Sequence, residues 1–335
     1  MRWRLDGSGA SVELIAHGQS IVAEPGPDGR LIPTTTDGES GGLWDLASDT
    51  ATGVHYTGLT QLTEEVIEYY IEGEGVGLEN LATGERYPYD IPGVGAEFGM
   101  WSGGWGPHAF VHSDGRLIPF DPETGGPVGK PLVLEDSEFE YPSSVSESMD
   151  GSTVLVTWLD SDVGDHQSAL FRISDGALLA RGLPARERTL ITSSGAIIAV
   201  GGESLERVDP STFEPRSTLA QADGGSQLLM ASLDDRTLLS VGYDNRVRLY
   251  DLTLDIPLGD AIDADTVQGW PAGYLTPDGE TLLTNAHGGV LSWDLRTDVQ
   301  ARAACALAGR EFSAAEWNTY FPDDPQVSTC AESED

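Results

Sequence analysis

Apolar residues recur along this chain in short alternating runs, separated by Asp, Gly, Asn and Pro. That pattern predicts half-buried β-strands joined by tight turns. The clearest case lies late in the chain, where residues 226–232 read as a buried strand and Asp234-Asp235-Arg236 as a turn. Residues 237–242 form a second strand, Tyr243-Asp244-Asn245 a second turn, and Arg246–Leu252 an alternating third strand. Pro257–Ile262 supplies a fourth. The plan repeats at once: Gly269–Leu275, the turn Thr276-Pro277-Asp278-Gly279, residues 281–284, then Val290–Leu295. The turn residues are those whose side chains or φ freedom suit a reversal.

The third strands end alike. Working from the N-terminus, the endings are Trp44-Asp45-Leu46, Glu79-Asn80-Leu81, Phe120-Asp121-Pro122 and Phe171-Arg172-Ile173. Val208-Asp209-Pro210, Tyr250-Asp251-Leu252 and Trp293-Asp294-Leu295 follow. Their middle residues are 35, 41, 51, 37, 42 and 43 residues apart, which makes seven units. A four-stranded unit of this size cannot bury both faces alone, and radial packing of the units would bury them.

The Trp-Asp endings, the Asp-Gly turns and a period of about 40–45 residues resemble WD-repeat β-propellers. The resemblance runs over residues 10–297 or so and is plainest in the last two units. It implies an all-β fold: one seven-bladed propeller over residues 1–297, with a short α-helical extension over 298–335. No fourth strand follows Leu295, whereas Ser11–Ala16 is a spare strand before the first unit. The expectation is that residues 11–16 complete the last blade. Trp3-Arg4-Leu5 also resembles a third-strand ending, 41 residues before Asp45, as if an earlier blade had preceded it.

From Asp298 the period changes. Val299, Ala303, Ala306 and Leu307 fall at helical spacing, with Gly309 as the stop. Ser313-Ala314-Ala315-Glu316 is a capping box, and Phe312 with Trp317 a hydrophobic staple. A second helix should therefore run from Ala314 to Tyr320, ended by Pro322. Residues 304–320, with Ser328-Thr329-Cys330, resemble the tail behind WD-repeat arrays in actinobacterial signalling NTPases and related transcriptional regulators. That resemblance implies a sensing or protein-binding module of a larger switch. Cys305 and Cys330 are the two cysteines. They read either as small buried hydrophobes or as a disulfide tying the terminal segment to the first helix, a bond that a reducing cytoplasm opposes.

Charge changes the picture of partners. The 335 residues hold 18 Lys+Arg against 55 Asp+Glu, for a net charge of −37, and Lys130 is the single lysine. Such a chain repels nucleic acid and anionic lipid, because both need cations to replace their counterions. At 39% hydrophobic residues it still has enough apolar material for a core. No run of 18 apolar residues predicts a membrane span, and Met1–Gly7 lacks the apolar stretch of a signal peptide. The expected setting is the cytoplasm and the expected state a monomer.

Candidate chemistry is sparse. Gly38-Glu39-Ser40-Gly41-Gly42 matches G-x-S-x-G, but a strand ending follows it where a nucleophile elbow needs a helix. Gly125–Pro131 is one residue short of a phosphate loop and places Pro131 where the metal-binding hydroxyl belongs. Gly73-Glu74-Gly75-Val76-Gly77 lacks the dinucleotide spacing. Asp160-Ser161-Asp162-Val163-Gly164-Asp165-His166 offers Asp160, Asp162 and Asp165 as candidate Ca²⁺ ligands, yet no closing glutamate follows; a solvated acidic turn is the simpler reading. His17, His55, His108, His112, His166 and His287 do not cluster in sequence, and all are read as surface or packing residues. No catalytic set and no cofactor is expected. The function read from these residues is a non-enzymatic interaction or sensing scaffold that offers an acidic face to a basic protein partner. The alternative is a propeller hydrolase or lyase with its site at the central channel, since fold alone does not exclude one.

Overall fold

A computed structural model describes residues 12–22, 25–26, 29–36, 41–61, 66–71, 75–81, 83–87, 99–102, 106–113, 115–133, 142–160, 165–181, 188–201, 204–210, 212–221, 228–265, 273–320, 322, 325–328 and 330. The expected third-strand ending at Trp3–Leu5 lies outside them.

Strand β1 (Val12–Ile15) comes first. It is followed by one seven-stranded meander of β2 (Ser20–Ile21), β3 (Leu31–Thr35), β4 (Gly41–Asp45), β5 (Thr50–Gln61), β6 (Val66–Ile71), β7 (Gly75–Asn80) and β8 (Arg86–Tyr87). A four-stranded sheet then contains β9 (Gly99–Ser102), β10 (Ala109–Ser113), β11 (Arg116–Phe120) and β12 (Leu132–Val133). The next contains β13 (Pro142–Glu147), β14 (Thr153–Asp160), β15 (Asp165–Arg172) and β16 (Leu178–Arg181). It is followed by β17 (Arg188–Ile191), β18 (Ile197–Gly201), β19 (Ser204–Val208) and β20 (Pro215–Gln221). The sixth-unit sheet holds β21 (Leu228–Ala231), β22 (Thr237–Val241), β23 (Arg246–Asp251), β24 (Ile256–Pro257) and β25 (Ile262–Asp263). The last holds β26 (Gly273–Leu275), β27 (Thr281–Ala286) and β28 (Gly289–Asp294), and β1 is its fourth strand. All pairings are antiparallel. Helices α1 (Thr297–Ala308) and α2 (Ala314–Tyr320) follow the last strand. Among the described residues no helix is long and apolar enough to cross a membrane.

Local chemistry explains why the units repeat. The third-strand Asp accepts the backbone N–H two residues on: Asp45 from Ala47 (2.9 Å), Asp121 from Glu123 (2.8 Å), Asp251 from Thr253 (2.7 Å) and Asp294 from Arg296 (3.0 Å). The aspartate thus closes the turn after the third strand in place of a backbone partner. Three turns between the first and second strands of a sheet share a second device. Ser148, Ser232 and Thr276 each donate to an Asp two residues on (2.8, 2.6 and 2.6 Å). Each also accepts the N–H of a Thr five residues on, at 3.0 Å.

From the β9–β12 sheet onward, neighbouring sheets bury their faces on each other. Phe110 and Leu117 share a core with Val154, Trp158 and Phe171. Leu155 packs with Ile191, Ile197 and Phe213, and Ile198 and Leu205 pack with Leu238 and Tyr250. One further core joins the two ends of the chain: Ile15, Ile21 and Ile32 lie among Met230, Leu239, Tyr274, Leu283 and Val290. A fully buried Ile or Leu contributes about 1.5–3 kcal/mol relative to exposure.

The spare N-terminal strand pairs where the sequence predicts. Val12 faces Trp293, Glu13 faces Ser292, Leu14 faces Leu291 and Ile15 faces Val290. Three details differ from the sequence reading. The first two units are fused, because β5 pairs with β4 through Tyr56 and with β6 from Thr57 onward. Register shifts between Gly42 and Trp44 and between Thr57 and Leu59 accommodate the change of partner. The expected fourth strand at Pro257–Ile262 is split into β24 and β25, both on β23. Pro257 has no N–H for the ladder, and Gly259 between the two pieces turns left-handed (φ +77°). Finally, the sequence reading packs the helical extension on the rim of the propeller, whereas the helices do not lie broadly on any strand among the described residues. Much of α1 is exposed, and its alanines bury too little area to dock it.

Candidate functional site

Two places in the structure combine unusual chemistry with defined geometry. The first is the C-terminal unit. Gly309 ends α1 in the left-handed conformation (φ +65°), and its N–H reaches Cys305 O at 2.8 Å. The capping box forms as its residues predict. Ser313 N–H donates to Glu316 Oε2 at 2.9 Å, and Glu316 N–H donates to Ser313 Oγ at 3.3 Å. Phe312 meets Trp317 edge-on with ring centroids 6.1 Å apart, completing the staple. Arg310 holds both Glu316 oxygens at 2.7 Å, so this carboxyl titrates well below the usual range, helped by Ser313.

Of the two readings for the cysteines, the structure has the disulfide: Cys305 and Cys330 are bonded. Glu311 braces the same closure, accepting Ser328 Oγ at 2.6 Å and Cys330 N–H at 2.9 Å. Gln326 Nε2 donates to Phe312 O at 3.0 Å. Between α1 and this braced tail lies a cleft of about 310 Å³, lined by Ala301, Ala304, Ala308, Phe312 and the disulfide together with Arg310, Glu311 and Glu316.

Closing a loop of 25 residues is worth about 3 kcal/mol. The Cys305→Ser/Cys330→Ser variant is therefore expected to lose protection of α2 in hydrogen exchange while the sheets keep theirs. Equal protection of α2 with and without the bond would show that the capping box and Glu311 suffice. Alkylation of unreduced protein should modify no thiol.

The second place is a seam between two sheets. His108 precedes β10, and Glu147 ends β13 in the next sheet. Glu147 is fully buried in its side chain, whereas His108 is 17% exposed. The carboxylate accepts the His108 backbone N–H at 2.9 Å and pairs with the ring Nδ1. Glycine makes the approach possible, since a Cβ on Gly106 would fall 2.1 Å from Glu147 Oε2 and one on Gly151 2.9 Å from the His108 ring. Hydrogen bonding to Glu147 raises the His108 pKa, and burial raises that of Glu147. Sequence spacing hid this pair, because its partners are 39 residues apart. The glycines flanking His108 and Asp150 were the local sign available.

The other sequence candidates fare as follows. Asp160 and Asp165 face each other across the end of the β14–β15 hairpin, while Asp162 lies outside the described residues. Among the described residues no three His, Cys, Asp or Glu gather as a metal site. Gly41 and Gly42 open strand β4, so no helix follows the G-x-S-x-G segment, whose Ser40 is outside the described residues. Gly125–Pro131 forms the turn before β12, and Gly75–Gly77 lies in β7, with Gly73 and Glu74 not described. His17 and His287 are exposed and His112 is buried on β10. No family model matches this sequence, and no curated protein matches it.

Proposed function

We propose that the chain is a seven-bladed, WD-repeat-type β-propeller that serves as a non-enzymatic protein-interaction or sensing scaffold, part of or derived from a bacterial signalling regulator. Counted by third strands, the fused meander supplies two blades and each remaining sheet one. A circular arrangement is supported by the joining of the chain's ends. β1 completes the last sheet, Ile21 and Ile32 share the core of Tyr274 and Leu283, and a Cβ on Gly29 would lie 3.2 Å from Pro277. That joining is the observation on which the reading rests.

The scaffold role is supported by charge. At −37, surface potential steers a basic protein and makes the association sensitive to salt. The partner is a protein rather than a nucleic acid or a membrane, and the scaffold acts as a cytoplasmic monomer, in which the Cys305–Cys330 bond forms only under oxidising conditions.

The test is capture of partners from native lysate on the immobilised full-length protein, with elution by rising salt and identification by mass spectrometry. Basic proteins released by salt are expected. Retention of no salt-released protein, or turnover of a small-molecule substrate by the purified chain, would overturn the scaffold reading.

A further inference from the structure

The C-terminal cleft is built to receive something, and its chemistry narrows what that is. Three alanines of α1, Ala301, Ala304 and Ala308, present an exposed, smooth face to it. Phe312 also lines it and is 39% exposed. In the oxidised protein the cleft is held open before any partner arrives, because the disulfide, Glu311 and Gln326 fix the tail against the loop. Preorganisation of this kind removes part of the entropy opposing association. A volume of about 310 Å³ sits at the small end of ligand pockets, which span about 300–1,000 Å³. It has room for one or two large apolar side chains.

Charge then selects the carrier. Two carboxylates, Glu311 and Glu316, line the cleft of a chain that carries 55 Asp+Glu against 18 Lys+Arg. Arg310, which also lines it, is engaged by Glu316. A second copy of this chain brings another −37 and is repelled, as are anionic ligands. We infer that the cleft receives a large apolar side chain from a partner-protein segment that carries Lys or Arg beside it, in the manner of a helix laid in a groove. This rests on the interaction-scaffold reading and names the site and the partner chemistry for it.

The experiment uses the full-length, oxidised protein and two synthetic peptides as probes. One is a Lys-flanked helix with a Leu-Leu-Phe centre, and the other has Ser in place of those three residues. Fluorescence anisotropy should show the apolar-centred peptide binding about tenfold more tightly or better, as loss of a buried anchor implies. Methyl NMR should place its largest shifts at Ala301, Ala304 and Ala308. Ala304→Trp fills the cleft at an exposed position, so it should leave the thermal melt unchanged and reduce the apolar peptide to the affinity of the Ser peptide. Equal, salt-sensitive binding of both peptides, unaffected by Ala304→Trp, would overturn the cleft while leaving the acidic scaffold intact. Methyl shifts elsewhere on the protein, or an Ala304-dependent dimer, would overturn it too. Failure of both peptides to bind at low salt would remove the cleft and the acidic scaffold together.

Discussion

Asn285→Ala is expected to lower the unfolding free energy by about 2–5 kcal/mol, one of the largest effects of any single polar substitution in the chain. Asn285 is 2% exposed on β27, and its side chain acts as a stand-in for a backbone peptide group. Its Oδ1 accepts Ile21 N–H at 2.7 Å, and its Nδ2 donates to Ile21 O at 3.0 Å, across 264 residues of sequence. Ile21 is completely buried, so truncation leaves an N–H and a C=O without water or partner. Asn285→Asp should be at least as damaging, because it deletes the donor and buries a charge. Urea denaturation reads the loss, and hydrogen exchange should locate its first opening at β1 and β2. An unchanged urea midpoint in Asn285→Ala would mean that the clamp contributes nothing to joining the chain's ends.

His108→Gln is expected to destabilise the protein by about 3–5 kcal/mol near neutral pH, since it leaves the Glu147 carboxylate buried without its cation. The pH dependence has a definite sign. The folded-state pKa of His108 is raised above 6.5 by Glu147, so the stability it contributes is fully present below pH 6.5 and lost as pH rises through the raised value. Glu147 is also raised, by burial, and its ionisation adds a loss in the same direction above the ordinary carboxylate range. Asp121 lies near enough to support the His108 charge, and Asp150 near enough to oppose ionisation of Glu147. Stability measured between about pH 5 and pH 8, the range where histidine titrates, should therefore fall more steeply for the parent protein than for Glu147→Gln. The comparison between the two removes the background set by the other acidic groups. Parallel pH profiles would show that the pair does not govern the seam.

The turns between first and second strands can be legible residue by residue and still be misread. The turn at Thr192 lacks the aspartate that its counterparts carry, having Ser194 there instead. The carboxylate comes from the next unit: Asp235 accepts from Thr192 Oγ1 at 3.0 Å, Ser193 N–H at 2.8 Å and Ser194 N–H at 2.7 Å. Asp235 itself sits at φ +56°, where the counterpart turns place Gly151, Gly195 and Gly279. A non-glycine residue in that region is strained, and the three hydrogen bonds supply the compensation. From sequence, Asp234-Asp235 is simply a solvated pair.

What the amino-acid order determined alone is what neighbouring residues settle among themselves. The alternating strands, the aspartates that close the turns after the third strands, the left-handed stop at Gly309, the capping box at Ser313 and the Phe312–Trp317 staple all form between residues a few positions apart. Even the docking of Val12–Ile15 on β28 was readable, because a spare alternating strand at one end matched a missing one at the other. Only the tertiary structure decided the fusion of two units through β5, the Asn285–Ile21 clamp, the His108–Glu147 seam and the choice of a disulfide over two buried thiols. Each of these depends on which backbone edge or side chain a distant segment presents once the sheets are stacked. Spacing along the chain carries no record of that.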